Sequence, residues 1–229
     1  MNNLSTSSVP PAVFVIDDDP SVRRSLGRLL GGEGWHVETF EKPTEFLERA
    51  PFQGNGCVLL DERMPEMAGT EVHGAMLARG ETLPVVFLTA HGDLPTAVGS
   101  MKRGAADFLA KPADEKVLLG TLREALERHA HALDDRRRRA GVKAKVDTLT
   151  RRQREVLSLV IAGRLNKQIA HALGISIKTV KVHRARVMQH LEARSLAALL
   201  HACEMIGLTH TSVADANGPP GQAASRFSS

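Results

Sequence analysis

Short, continuous apolar runs alternate with helical patterns along the first half of the chain. Such runs are typical of strands that are buried on both faces of a parallel sheet. Three of them occur, at Ala12–Ile16, Val58–Leu60 and Pro84–Thr89, and Trp35–Phe40 and Ala106–Ala110 are predicted to be two further strands. Helical patterns follow them, starting at Pro20, at Pro43, near Thr70, over roughly 94–103 and near Asp114. Five strand–helix units predict an α/β fold with a five-stranded, doubly wound, flavodoxin-like parallel sheet.

The second half carries four short helical patterns. Thr150–Gln153 has the sequence of a capping box and opens the first helix, which Gly163 ends. Asn166 is predicted to cap the second helix and Ser176 the third, and a fourth helix covers Ser195–Ile206. A glycine-containing turn joins the second and third helices. This pattern predicts an all-α, four-helix domain that contains a helix-turn-helix.

One long helical pattern connects the two halves. It starts near Asp114, continues through four arginines at 136–139 and is predicted to end at Gly141, so that polar residues 142–147 form a short linker. The arginine run is more typical of a solvated helix end than of a phosphate contact, because two aspartates precede it. The predicted organisation is a disordered tail over 1–11, an α/β domain over 12–133, a linker over 134–147, a helical domain over 148–208 and a disordered tail over 209–229.

Polar side chains stand at the ends of four of the five predicted strands. Asp17 and Asp18 follow the first strand, Asp61 the third, and Lys111 the fifth, while Thr89 ends the fourth. Because the carboxyl ends of parallel strands meet at one edge of a sheet, we expect these side chains to form one site. Clustered carboxylates favour a hard divalent cation such as Mg²⁺. Asp61 is then a candidate nucleophile for an acyl phosphate, with Thr89 and Lys111 contacting the phosphoryl oxygens.

The net charge of +4 hides a difference between the two halves. Residues 1–133 hold 13 Lys and Arg against 19 Asp and Glu, whereas residues 134–229 hold 17 against 7. This asymmetry predicts an acidic module joined to one that binds a polyanion. Tyr is absent and other aromatic residues are scarce, which disfavours stacking on single-stranded nucleic acid. No apolar run reaches membrane-spanning length, and the two cysteines are far apart, so a cytoplasmic location is expected.

The third helix of the basic half indicates how this module would meet a duplex. At 100° per residue, Val180, Val187 and Leu191 define an inner face. The residues that lie opposite or beside that face are Lys178, Lys181, Val182, Ala185, Arg186 and Gln189. Cations in the major groove contact phosphates or guanine, and small apolar side chains contact thymine methyl groups. The pattern therefore predicts binding to double-stranded DNA.

The motifs of the first half resemble the receiver domain of two-component response regulators. The matching residues are Asp17-Asp18, the loop from Asp61 through Met64-Pro65 to Gly69, Thr89 and Lys111-Pro112. The resemblance implies that Asp61 is the phosphoacceptor. It implies that the metal ligands are Asp17, Asp18, Asp61 and the backbone carbonyl of Arg63. It also implies that Thr89 and Lys111 sense the phosphoryl group and that Phe108 is the aromatic switch residue, although Phe108 lacks the hydroxyl of the Tyr that is common there.

The second half resembles the DNA-binding domain of the LuxR/FixJ/NarL class and is most similar to the FixJ subgroup. The matching segments are Arg154–Leu157, Asn166–Ala170, Leu173–Ser176, Thr179–Arg184 and Ser195-Leu196. The resemblance implies that the residues at base edges are Lys181, Val182 and Ala185. It implies that the residues on phosphates are Lys167, Lys178 and Thr179.

Together, these patterns predict a phosphorylation-activated transcription regulator and not an enzyme. The expected partners are a sensor histidine kinase, double-stranded promoter DNA, RNA polymerase and, on activation, a second copy of the chain. Two alternatives stay open. One is a constitutive DNA-binding regulator, in which Asp61→Asn would leave promoter output unchanged. The other is a phosphohydrolase with Asp61 as nucleophile, which would need a general acid or base, and Glu62 is the one candidate in the motif.

Overall fold

Five parallel strands form the sheet of the first half. In the computed structural model, which describes residues 9–89 and 105–208, the chain divides into two compact units between Asp134 and Asp135. The strands are β1 Ala12–Ile16, β2 His36–Phe40, β3 Gly56–Asp61, β4 Val85–Thr89 and β5 Asp107–Ala110. Their order in the sheet is β2-β1-β3-β4-β5, and every neighbouring pair is parallel. The predicted sheet is confirmed.

Helices cover both faces of this sheet. They are α1 Pro20–Gly32, α2 Pro43–Glu48, α3 Gly69–Ala78 and α4 Glu115–Asp147. Apolar residues of α2 and α3 pack with Phe14 and Leu60, and those of α1 and the first turns of α4 pack with Val15 and Leu59 on the other face. Every residue of β1, β3 and β4 is therefore buried, which explains their continuous hydrophobicity. The predicted helix over 94–103 and most of the two predicted tails lie outside the described residues.

The strand order brings the acidic strand ends together. The order reverses between β1 and β3, because β2 lies beyond β1 while β4 and β5 lie beyond β3. Ile16 pairs with Leu60 in register, so Asp17 and Asp61 come directly after neighbouring residues. Ligands of open α/β sheets bind in the crevice at such a reversal, outside the carboxyl ends of the strands.

The long helix α4 differs from the prediction. It continues to Asp147, so the predicted end at Gly141 and the non-helical linker over 142–147 are wrong. Val146 is buried in the core of the second unit, and Val142 packs against the same cluster. Residues four apart lie on one side of a helix, so these two valines share a face. Their apolar contacts favour a continuous helix although most of their neighbours are polar.

Four further helices form the second unit with the end of α4. They are α5 Arg151–Ile161, α6 Asn166–Leu173, α7 Ile177–His190 and α8 Leu196–Met205, which confirms the predicted all-α, four-helix domain. The capping box of Thr150 and Gln153 and the cap at Ser176 are confirmed. The cap predicted at Asn166 is wrong, because Leu165 is the N-cap residue and its N–H donates to the side chain of Gln168.

Candidate functional site

Three carboxylates converge where β1 and β3 end. Asp17, Asp18 and Asp61 each offer an oxygen, and these oxygens lie within 4.8 Å of one another. Asp17 and Asp61 are buried, whereas Asp18 is exposed. The structure thus brings together the acidic residues that the sequence predicts at this sheet edge. Like charges at this spacing repel one another unless a cation lies among them.

Lys111 supplies part of that positive charge. Its Nζ lies 2.6 Å from Oδ2 of Asp17 and 3.1 Å from Oδ1 of Asp61. Burial raises the pKa of Asp61, and the nearby Lys111 opposes that rise. Burial lowers the pKa of Lys111, but its bonds with Asp17 and Asp61 outweigh this effect and the net shift is upward. The ammonium group therefore stays charged at neutral pH and ties β5 to both acidic strand ends.

The three consecutive aspartates after β1 have different partners. Asp17 Oδ1 accepts the backbone N–H of Asp19 at 2.9 Å, and its other oxygen is held by Lys111. Asp19 accepts the N–H of Ser21 and caps α1, a contact that lowers the pKa of Asp19. Among the described residues, no hydrogen bond holds the carboxylate of Asp18. Asp18 is therefore the acid most readily available to a cation.

The donor set fits Mg²⁺. All three side chains offer carboxylate oxygens, which hard divalent cations prefer, and the exposure of Asp18 leaves room for coordinated water. The loop that follows Asp61 passes Arg63, which is exposed. The fit therefore rests on the carboxylates, and the contribution of the Arg63 carbonyl stays a prediction.

Thr89 lies on β4, beside β3, and Phe108 lies on β5, one strand further. Thr89 ends β4, is 2% exposed, and its carbonyl oxygen accepts the N–H of Lys111 at 2.6 Å. Phe108 lies in β5 and is half-buried, with its ring centroid 5.7 Å from that of Phe87. The predicted hydroxyl thus ends the strand beside β3, and the predicted aromatic residue lies in the strand that precedes Lys111.

The second unit presents a basic helix face. Val180, Val187 and Leu191 are buried, and the predicted outer residues are exposed: Lys178, Lys181, Val182, Ala185, Arg186 and Gln189. The predicted rotation of α7 about its own axis is therefore confirmed, although contacts with DNA are untested. Thr179 is half-buried and its N–H donates to Ser176 Oγ. Lys167 is exposed in the first turn of α6.

Two families match the two units. Residues 13–123 match the family described as "Response regulator receiver domain", and residues 147–203 match "Bacterial regulatory proteins, luxR family". Over 201 residues, the chain is 41% identical to the tetrathionate response regulatory protein TtrR of Salmonella typhimurium, spanning 88% of this chain and 96% of that protein. The chain belongs to the two-component response regulators. The predicted family is confirmed.

Other response regulators are similar over both units. The transcriptional regulatory protein FixJ of Azorhizobium caulinodans is 40% identical over 196 residues, which span 86% of this chain and 93% of that protein. The solved structure of the response regulator StyR is 45% identical, with a TM-score of 0.78, covering 86% of this chain and 99% of that chain. A receiver domain joined to a LuxR-type DNA-binding domain is thus shared with two-component transcription regulators. Among the described residues of this response regulator, no helix has the length and apolarity that a membrane span requires.

Sequence reasoning missed two arginines that organise the response regulator. Arg184 donates to Asn166 Oδ1 at 2.7 Å and joins α7 to the start of α6. Arg23 donates to the backbone carbonyls of Asp17 and Asp18. Helical periodicity indicates which face of α7 Arg184 lies on, but it does not show its partner. Arg23 had no signal beyond its position on a predicted helix.

Gly69 is required where α3 starts beside the acidic cluster. A Cβ atom at Gly69 would lie 2.5 Å from the carbonyl oxygen of Asp61 and 3.1 Å from the Cα of Glu62. Both contacts are with backbone, so Gly69→Ala must displace the end of β3. We expect it to lower the free energy of unfolding by about 1–3 kcal/mol in urea titrations.

Gly74 offers a matched control on the same helix. A Cβ atom there meets nothing within 4 Å, and the residue is exposed. Gly74→Ala should therefore stabilise the unit by about 0.5–1 kcal/mol, because Ala is the better helix former. Equal effects of the two substitutions would show that the approach of Gly69 to Asp61 does not constrain the loop.

Proposed function

We propose that Asp61 accepts a phosphoryl group from a sensor histidine kinase and that this event activates the DNA-binding unit. The observation that carries the proposal is the convergence of Asp17, Asp18, Asp61 and Lys111 at the reversal of the strand order. In the proposed step, an oxygen of Asp61 attacks the phosphorus of a phosphohistidine and the P–N bond to the imidazole breaks. Incubation with a small-molecule phosphodonor and Mg²⁺ tests the step, since the label should be base-labile and absent with a chelator.

The residues of the cluster would have different roles in neutralising the charge at the site. The carboxylates would hold Mg²⁺, which when bound would supply positive charge against the phosphoryl oxygens. We assign direct ligation to Asp18 and Asp61, with the carbonyl of Arg63 as a further ligand. Asp17 stays bonded to Lys111 and to the N–H of Asp19, so it would support these two ligands without binding the metal directly. Once Asp61 carries the phosphoryl group, the phosphoryl oxygens would replace the Asp61 carboxylate as a bonding partner of Lys111.

Thr89 and Phe108 are proposed to report the phosphoryl group to the surface of the receiver unit. A group on Asp61 shifts a two-state equilibrium only if it interacts better with one state than with the other. The position of Thr89 on the strand beside β3 supports the proposal that its hydroxyl makes that difference, and Phe108 lies one strand further. Movement of Phe108 against Phe87 would alter the outer surface of β5.

Thr89→Ala should separate phosphorylation from activation. We expect the variant to accept phosphate at Asp61 but to lose most of the increase in dimerisation or DNA affinity, because the group that distinguishes the two states is missing. Coupling of this kind is typically about 5- to 150-fold in affinity. Thr89→Ser, which keeps the hydroxyl, is the matched control and should retain the increase. If Thr89→Ala responds as fully as the wild type, the hydroxyl is not the sensor.

The output is proposed to be sequence-specific binding of promoter DNA by a homodimer. Two-fold protein symmetry would present two α7 helices to two half-sites in successive major grooves. Lys181, Val182 and Ala185 would meet base edges, and Lys167, Lys178, Thr179 and Arg186 would contact the phosphate backbone. Leu196 and Leu200 of α8 are exposed and offer an apolar surface for a partner, for which we propose RNA polymerase or the second copy.

Both cysteines are free and buried, which fits a reducing cytoplasm.

The geometry around Glu62 argues against a phosphohydrolase. Glu62 continues the pairing of β3, since its N–H donates to the carbonyl of Leu88 at 3.0 Å. In the described part of the chain, the carboxylates whose oxygens lie within 4.8 Å of one another at this sheet edge include Asp61 but not Glu62. Glu62 is also 8% exposed. We therefore propose a phosphoacceptor and not a catalyst of repeated hydrolysis, and steady release of phosphate from small esters would overturn this assignment.

A further inference from the structure

Arg23 occupies an unusual position relative to the acidic pair. It lies near the start of α1, and its Nη1 donates to the carbonyl oxygen of Asp17 at 2.7 Å and to that of Asp18 at 2.9 Å. Its Nη2 donates to Oε2 of Glu41 at 2.9 Å, in the turn after β2. The arginine side chain is only 14% exposed. One guanidinium thus joins the start of α1, the acidic loop and the end of β2.

We propose that Arg23 is a positioning residue for the metal ligands of the receiver site, an inference that rests on the proposed function. Two carbonyl bonds fix the peptide planes on either side of the Asp18 Cα atom. They therefore fix the direction in which the exposed carboxylate of Asp18 leaves the backbone. Asp17 does not need this support to the same degree, because the N–H of Asp19 and Lys111 already hold its carboxylate. Among the described residues, no side-chain contact orients the carboxylate of Asp18, and Arg23 orients it through the backbone instead.

The charge of Arg23 would act in the opposite direction if it were not balanced. A guanidinium beside a cation site repels the cation and lowers its affinity. Glu41 removes most of that effect, because its carboxylate lies 2.9 Å from Arg23 Nη2. The pair Arg23–Glu41 therefore contributes bonds to the loop with little net charge. Orientation of Asp18 is the larger effect, and loss of Arg23 should weaken Mg²⁺ binding.

Titration calorimetry of Mg²⁺ binding to the unphosphorylated protein tests this assignment directly. Arg23→Met keeps the apolar stem and removes all donors, and we expect its Mg²⁺ affinity to fall about 10- to 100-fold, as for other residues that orient metal ligands. Arg23→Lys should fall less, because an ammonium group still donates to a carbonyl. Glu41→Gln keeps both carbonyl bonds and leaves the guanidinium charge unbalanced, so a decrease of only about two- to threefold is expected.

Phosphorylation kinetics provide a second measurement, because the Mg²⁺ dependence of the rate would not change if Arg23 only stabilised the fold. With a small-molecule phosphodonor, Arg23→Met should need correspondingly more Mg²⁺ for its half-maximal rate and reach the wild-type rate at saturation. If Arg23→Met does not fold, Arg23→Lys alone carries the test, and wild-type Mg²⁺ affinity in that variant overturns the assignment. Wild-type affinity in a folded Arg23→Met also overturns it. A wild-type protein that binds no Mg²⁺ would instead contradict the proposed function.

Discussion

Asp61→Asn is expected to reduce phosphorylation by a small-molecule donor to background. Asn differs from Asp by one atom and keeps the volume of the buried side chain, but its amide cannot form an acyl phosphate. The substitution also removes the charge that draws Lys111 to β3, at 3.1 Å in the wild type. The measurement is incorporation of phosphate into intact protein by mass spectrometry in the presence of Mg²⁺.

Asp18→Asn is the informative companion to this variant. It keeps the nucleophile and changes the exposed acid that we assign to the metal. Its phosphorylation should therefore be reduced at low Mg²⁺ concentration and recover at higher Mg²⁺ concentration. The label on Asp61→Asn should not return at any Mg²⁺ concentration. Undiminished, base-labile label on Asp61→Asn would place the phosphoacceptor elsewhere in the chain.

Substitutions on α7 are expected to separate base contacts from phosphate contacts. Lys181 and Val182 are both exposed, Val182 at 43%, on the face that turns away from the core. Lys181→Ala or Val182→Ala should change which sequence is preferred, because each removes a side chain from a base edge, and a good base contact provides about 1–3 kcal/mol of discrimination. Lys178→Ala should weaken all duplexes nearly equally and lower the slope of log K against log salt by about one.

Each α7 variant needs a specific and a scrambled duplex, compared over a salt series. Lys167→Ala should behave like Lys178→Ala, since Lys167 is exposed in the first turn of α6. Lys116→Ala, an exposed lysine of the acidic unit, should leave both the preference and the salt slope unchanged. If Lys181→Ala weakens both duplexes alike while Lys178→Ala removes the preference, the assigned roles of the two lysines are reversed.

The sheet and its acidic edge could be predicted because burial leaves a strong mark on the sequence. Every residue of β1, β3 and β4 is buried, so each strand reads as an unbroken apolar run that stops at a polar residue. The rotation of α7 was likewise predictable, since Val180, Val187 and Leu191 repeat at helical spacing. An unbroken apolar run thus records burial on both faces of a strand, and a periodic one records which side of a helix faces the core.

The particular partner of a polar side chain leaves no such mark. The bonds of Arg23 to Asp17 and Asp18 depend on how α1 leaves the loop, and the bond of Arg184 to Asn166 depends on how α7 crosses α6. The pattern of α4 was misjudged for a related reason. Val142 and Val146 pack into the core of the second unit and not into that of the first, and the sequence does not show which core an apolar residue joins.

Phosphate on Asp61 is proposed to increase the affinity of the DNA-binding unit for its site. The direct measurement is binding of the full chain to a duplex selected from a random pool, before and after treatment with phosphodonor and Mg²⁺, for the wild type and for Asp61→Asn. Treatment is expected to tighten wild-type binding by a factor within the usual range of coupling, about 5- to 150-fold, and to leave Asp61→Asn unchanged. Equal binding by the two proteins under both conditions would contradict it and identify a constitutive DNA-binding regulator.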